Sequence, residues 1–533
     1  MVIRSLRHHF NKQLFFKAGF SLLAVLIFLA GFTLEVNAKP KGDTIVSGTI
    51  GVDTTWNLAG SPYLVNGNLT INSGVTLSID PDVIVKFYGD ISLEVFGTLD
   101  VNGADGSPVI ITEIRDDVGG DSNGDDTTTT PAPGGWRGIY VADNGNAYLD
   151  YTELRYGGGY FYIHPWWGNH YGNIRKDANG MLVINHSLIT QSAGCGADFN
   201  STTGVLSVSN TLFSFNQQYG ACLHDAVNTI SFTASSFTNN TPHSIYTTLF
   251  SSGFSIPADN IMDRPIFVAG GVLNINSTWS RQIYALETIT INPGFTLSLP
   301  AGAILKSIGD VALEVNGTLD VNGEAGNPVV ITEIRDDIGG DSNGDANATT
   351  PAPGGWRGIH VADNGSASLD YAEIHYGGGY FYMNGWGNHY GNLRKDGAGS
   401  LSISHSVIAE SGGCGLSFIS STGTHNISTT LFNQNLNYGA CLSNATDTIT
   451  FAASTFTNNS PRSIYTTPHS SGFAIPADNL LDKPIYVGGG NLDVNSTWSP
   501  QVYIAGTIFI NTGYTLTIPA GAIVKFEGDQ ALE

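Results

Sequence analysis

The sequence copies itself, and that copying limits the fold more than any other property of the chain. Leu93 to Asp125 reads LEVFGTLDVNGADGSPVIITEIRDDVGGDSNGD, and Leu313 to Asp345 reads LEVNGTLDVNGEAGNPVVITEIRDDIGGDSNGD, with six differences in 33 positions at an offset of 220. The match runs on through TPAPGGWRGI, YGGGYFY, WGNHYGN, RKD and IPADN, and the offset becomes 219 after the tryptophan loop, where IHPWWGNHY is answered by MNGWGNHY. A third copy opens near Asp482 and stops at Glu533, short of the GTLDVNG that follows in the earlier copies, so the sequence reads as truncated there. The expected organisation is a first module over 39–263, a second over 264–481 and the start of a third over 482–533, preceded by 1–38. Long internal periods of this kind mean arrays or solenoids, to be read before any local motif.

A finer period lies inside each copy. Ser187-Leu188-Ile189, Thr211-Leu212-Phe213 and Ser235-Ser236-Phe237 recur every 24 residues, and Val75-Thr76-Leu77 and Gly97-Thr98-Leu99 every 22. Alternating runs such as Thr229-Ile230-Ser231-Phe232 and Leu401-Ser402-Ile403 put one face in and one face out, so each period of about 23 residues reads as one coil. Composition agrees. Charged residues are only 13% but hydrophobic ones 41%, enough for a core, and Thr, Ser, Asn, Gly, Val and Ile supply strands and turns in place of helix formers. Asn216, three residues after Phe213, and Asn239, two after Phe237, stand where a side-chain amide can bond the backbone of a bend and stack on its neighbours.

The motifs GVTLSIDPDVIVKF, GTLDVNG, NPVVITEIRDD and LSISHSVIAESGGCG resemble the right-handed parallel β-helix family, the architecture of pectin-lyase-like proteins and many bacterial surface proteins. The run DDIGGDSNGDANATTPAPGGWRGI is similar to a segment common in secreted bacterial β-helix repeat proteins. The resemblance implies an all-β solenoid of tandem modules with loop insertions, and it transfers little chemistry because such folds serve many functions. Tandem sandwich domains are the structural alternative, but regular 22–24 spacing suits coils better.

Arg4, Arg7, Lys12 and Lys17 precede an apolar run from Ala18 to Phe32 and then Val36-Asn37-Ala38, which reads as a signal peptide cleaved before Lys39; the run is short for a membrane span. Removal of 1–38 takes four of the 22 basic and one of the 45 acidic residues and leaves a net charge of −26, which repels nucleic acid and anionic lipid and attracts divalent cations. The expected setting is extracellular or cell-surface, with no span in the mature chain.

Asp116, Asp117, Asp121, Asn123 and Asp125, repeated as Asp336, Asp337, Asp341, Asn343 and Asp345, form an acidic loop in each module. Asp121-Ser122-Asn123-Gly124-Asp125 alternates oxygen donors as a calcium loop does, but Asp126 or Ala346 stands where an EF-hand needs Gly, and Ala132 or Ala352 where it needs Glu. A structural calcium ion and a solvated acidic insertion are both compatible with this pattern. Tyr160, Tyr162, Trp166, Trp167 and His170, answered by Tyr380, Tyr382, Trp386 and His389, crowd a second loop, suited either to stacking on sugar rings or to packing as a mini-core on the solenoid flank. The adjacent pairs Arg175-Lys176 and Arg394-Lys395 would receive an acidic glycan or pair with neighbouring acids. Two such loops on one side of a solenoid would give avidity toward a polysaccharide or cell-surface glycan.

Arg115 and Arg335, beside the acidic loops, are the weak candidates for the proton-abstracting base of a calcium-dependent polysaccharide lyase, as found on this fold. No G-x-S-x-G, H-E-x-x-H or phosphate loop occurs, and every candidate site is duplicated, which favours binding or spacing over catalysis. Cys195, Cys222, Cys414 and Cys441 form one pair per module with spacing 27, three residues out of register with a 24-residue coil, so disulfides require a turn to absorb the difference. The reading is a secreted β-helix repeat protein with a binding, adhesive or structural role and calcium-stiffened modules. The alternatives are a glycan-active lyase and a spacer without a ligand.

Overall fold

The computed structural model describes residues 43–533, apart from 165–166, 171, 227–229, 250–258, 384–385, 390, 446–447, 471–477 and 499–500. The signal peptide expected at 1–38 therefore lies outside the described residues. Among those described, no helix is long and apolar enough to cross a membrane.

The chain is a parallel β-helix. One coil runs Ile84–Phe87, Ser92–Val95 and Thr98–Asn102, and the next runs Val109–Glu113, Gly138–Val141 and Asn146–Asp150. Each side stacks in parallel on its counterpart: Val85 on Ile111, Leu93 on Ile139, Leu99 on Ala147. Among the described residues, antiparallel ladders between strands occur only in two short hairpins. That pairing excludes tandem sandwiches.

Strict register makes columns of like residues. Phe213 lies on Phe237 with ring centroids 4.8 Å apart and an interplanar angle of 3°, and Phe432 lies on Phe456 at 4.5 Å. Polar columns follow the same rule. Asn216 is fully buried and donates from Nδ2 to Ile189 O at 3.2 Å and to Asn240 Oδ1 at 2.9 Å, while Asn240 Nδ2 donates to Phe213 O at 2.9 Å. The ladder thus takes Asn240 and not Asn239, whose φ of 57° turns the corner. The second module repeats it with Asn435 and Asn459.

The module junctions hold a feature that the sequence did not announce. Here the sides shrink to Ile261–Met262, Ile266–Val268, Gly271–Leu273 and Ser277–Thr278. Ile266–Val268 stacks on the second side of module one, at Ile245–Thr247, and then under Gln282–Ala285, which opens the first side of module two. The second side of one module therefore continues as the first side of the next. The next junction repeats the step: Ile485–Val487 pairs back with Ile464–Thr466 on the second side and forward with Gln501–Ile504. Each module is thus displaced by one side of the triangle, about a third of a turn, from its predecessor. The boundaries at 263/264 and 481/482 fall inside these junction coils.

Corners after the third side are turned by single residues in the left-handed region: Tyr151, His186, Asn210 and Ala234, with φ between 43° and 49°. A side chain there costs about 1–2 kcal/mol, part of which glycine's extra unfolded entropy returns. Ala234→Gly and its counterpart Ala453→Gly should therefore stabilise the protein by about 0.5–1 kcal/mol each. A melting temperature that falls in either variant would contradict the corner geometry.

Candidate functional site

The two longest insertions leave one corner of the coil on consecutive turns. The acidic loop joins Val109–Glu113 to Gly138–Val141, and the aromatic loop joins Thr152–Arg155 to Ile174–Asp177 one coil later. Their bases are stitched together: Gly134 N donates to Gly157 O at 3.0 Å, and Gly159 N to Trp136 O at 2.8 Å. A Cβ on Gly159 would meet Trp136 O at 2.8 Å, so the close approach needs glycine. Trp136 is fully buried, stacks on Phe87 at 4.2 Å and donates its indole N–H to Arg155 O at 2.8 Å. Trp356 does the same to His375 O.

The acidic loops fold around their own carboxylates. Asp121 accepts from the N–H groups of Gly124 at 2.7 Å and Asp126 at 3.0 Å, which holds its carboxyl below the usual range. Asp341 is matched by Gly344 and Ala346. Asp125 accepts from Asn123 and from the backbone of Thr128 and Thr129, and Asp345 from Asn343, Ala348 and Thr349. Asp116 and Asp336 accept from the hydroxyls of Thr112 and Thr332, both at 2.7 Å. Under each loop lies a lysine that sequence reasoning passed over. Lys86 donates to Gly120 O at 2.7 Å, and Lys306 to Asp336 O at 2.6 Å and Gly340 O at 3.0 Å; both are fully buried. Burial lowers their pKa values, opposed by the aspartates above, Asp116 and Asp117 or Asp336 and Asp337. Oδ1 of Asp117, Asn123 and Asp337 is buried without a hydrogen-bond partner, although among the described residues no three His, Cys, Asp or Glu side chains converge as metal ligands.

Arg115 and Arg335 are held in place by buried acids. Arg115 donates to Glu113 from Nε at 2.7 Å and Nη2 at 2.9 Å, and Glu113 also accepts from Ala132 N across the loop. Arg335 repeats the contact with Glu333, which caps Ala352 N at 3.0 Å. Both glutamates are at least 99% buried, so these pairs close the mouths of the acidic loops.

Each aromatic loop is an antiparallel hairpin, Tyr160–His164 with Trp167–His170 and Tyr380–Met383 with Trp386–His389. Tyr160 stands opposite His170, and Tyr380 opposite His389; Trp166 lies outside the described residues. The basic pairs behind the hairpins split. Arg175 pairs with Asp177 at 2.7 Å and approaches Asp198 at 3.8 Å, and Arg394 pairs with Asp396 at 2.6 Å. Lys176 instead shares the inner face with Val141 and Phe199, and its ammonium serves the corner carbonyls of Ala142 at 3.0 Å, Asp177 at 2.7 Å and Asn179. Lys395 does likewise for Asp363, Asp396 and Ala398. Both lysines are fully buried and present no charge to a ligand. The displacement between modules also places the two hairpins on different sides of the rod.

Cys195 is joined to Cys222 and Cys414 to Cys441, each with Cα atoms 6.0 Å apart. Cys222 is in register with Asp198, and Cys441 with Ser417, so the three-residue offset is absorbed by the turns that carry Cys195 and Cys414. No family model matches the chain, and no curated protein matches it significantly.

Burial pushes Asp198 up to about 7, against the pull of Arg175. A carboxyl raised in the folded state gives stability that is present below its unfolded value and lost as pH climbs toward 7. Asp198→Asn should therefore match the unsubstituted protein near pH 4 and exceed it at pH 8, by about 4 kcal/mol at most. Melting curves that stay parallel across that range would refute the assignment.

Proposed function

We propose that this protein is a secreted or cell-surface repeat protein whose β-helix is a rigid rod for extracellular binding or adhesion. The observation that carries this reading is the paired hairpin: each module carries the same Tyr- and Trp-bearing ribbon at the equivalent corner of its own coil, on a buttress of buried Trp and glycine contacts. Duplicated display serves binding, and aromatic faces suit sugar rings. The polysaccharide-lyase reading draws no support from Arg115 and Arg335, whose guanidinium groups are engaged by Glu113 and Glu333.

The test is retention on insoluble cell-wall polysaccharides. Trp167→Ala with Trp386→Ala should weaken retention by about fivefold per ring while leaving the melting temperature in place. Unfolding of the double variant with no retention signal in the parent would identify the hairpins as a mini-core and the protein as a spacer.

Calcium enters the proposal through the unpartnered oxygens of Asp117, Asn123 and Asp337, which a hard cation would satisfy. Calcium should raise the melting temperature over a chelated sample, and Asp117→Asn with Asp337→Asn should abolish the rise. An identical melting temperature in calcium and chelator would remove the ion from the account.

A further inference from the structure

The displacement at the first junction has a local result. It brings Pro242 and His243 of module one beside the acidic loop of module two, and between them lies a cleft of about 500 Å³. Its lining is apolar at Ile308, Ile334 and the ring of Tyr284. It is polar at Arg264, Asp341 and Asn343. Tyr284 ends an outward aromatic column that crosses the junction, Tyr246 to Phe267 at 5.8 Å and Phe267 to Tyr284 at 5.4 Å.

Two groups in this cleft lack the partners that the rest of the fold supplies. His243 is nine-tenths buried, and its Nδ1 has no hydrogen-bond partner. Arg264 donates Nη1 to Pro242 O at 2.8 Å and, among the described residues, forms no ion pair, unlike Arg115, Arg175 and Arg394. We propose that the cleft binds a neutral sugar unit of a glycan, its C–H face on Tyr284 and Ile308 and its hydroxyls shared among His243, Arg264, Asp341 and Asn343. A concave site with an apolar lining and a few convergent polar groups is the usual form of such sites. With Asp263 and Asp341 against one arginine, the lining repels an acidic sugar.

The second junction supplies an internal contrast. At the offset of 219, Arg462 stands for His243 and Tyr503 for Tyr284, and the Arg462 guanidinium lies over the Tyr503 ring at 4.0 Å. His243 instead stacks on Phe267 and crosses Tyr284 at 71°. The Tyr503 ring is therefore covered by the protein's own cation at the second junction, whereas at the first Tyr284 meets the imidazole of His243 edge-to-face.

This site goes beyond the hairpin reading and is tested apart from it. The full chain is titrated calorimetrically with cellohexaose, maltohexaose, chitohexaose and hexagalacturonate. At least one neutral oligomer should bind, with hexagalacturonate weaker. His243→Arg, which copies the second junction and so suits the fold, should weaken binding by about tenfold or more, as should Tyr284→Ala. No binding of any neutral oligomer at millimolar concentration, or binding unchanged in His243→Arg, overturns the proposal. Loss of binding in the Trp167/Trp386 variant alone, with the cleft variants unaffected, overturns it too and leaves the hairpin reading standing.

Discussion

Stacking in register at a spacing of about 4.8 Å is the constraint from which the rest of this molecule follows. When each coil must repeat the one below, a side chain pointing inward has no choice of neighbour: it meets its own counterpart. Apolar residues gain from that, as Phe213 on Phe237 shows. Polar residues survive inside only as columns, where one amide serves the next, as Asn216 and Asn240 do. A lone buried polar group has to reach the corner carbonyls, and Lys176 and Lys395 do so with fully buried ammonium groups.

The fold was legible because its signals are periodic. Repeats at 220 and near 23 residues, with alternation inside them, leave few architectures, and the parallel pairing of Val85 with Ile111 and Leu93 with Ile139 is the outcome. What escaped was whatever depends on phase. Asn239 and Asn240 are adjacent and chemically equal, and only the corner geometry decides which enters the ladder. The junction shift was equally hidden, since strands of two or three residues such as Ile261–Met262 carry no readable alternation.

The site was legible in position and less so in role. Both loops sit where the duplicated motifs placed them, but the charges in them mostly serve the coil. Arg-Lys at 175–176 reads as a single basic patch, whereas period-two alternation sends Arg175 outward to Asp177 and Lys176 inward beneath Ala142. Lys86, flanked by Val85 and Phe87, faces outward by the same parity and is buried only because the acidic loop folds over it. Long-range cover of this kind leaves no mark in the local pattern.

The one-side displacement at each junction changes what a multivalent rod of this design can hold. Ribbons on a single side would zip along one straight polymer, each contact raising the effective concentration of the next. If the hairpins bind polymer as proposed, ribbons that step around the circumference would face separate strands, and a second contact would gather a second chain. On the proposed reading, a rod so built would act as a node in a mesh. Its contribution would be read in the stiffness of a gel and not in the affinity for a single fibre.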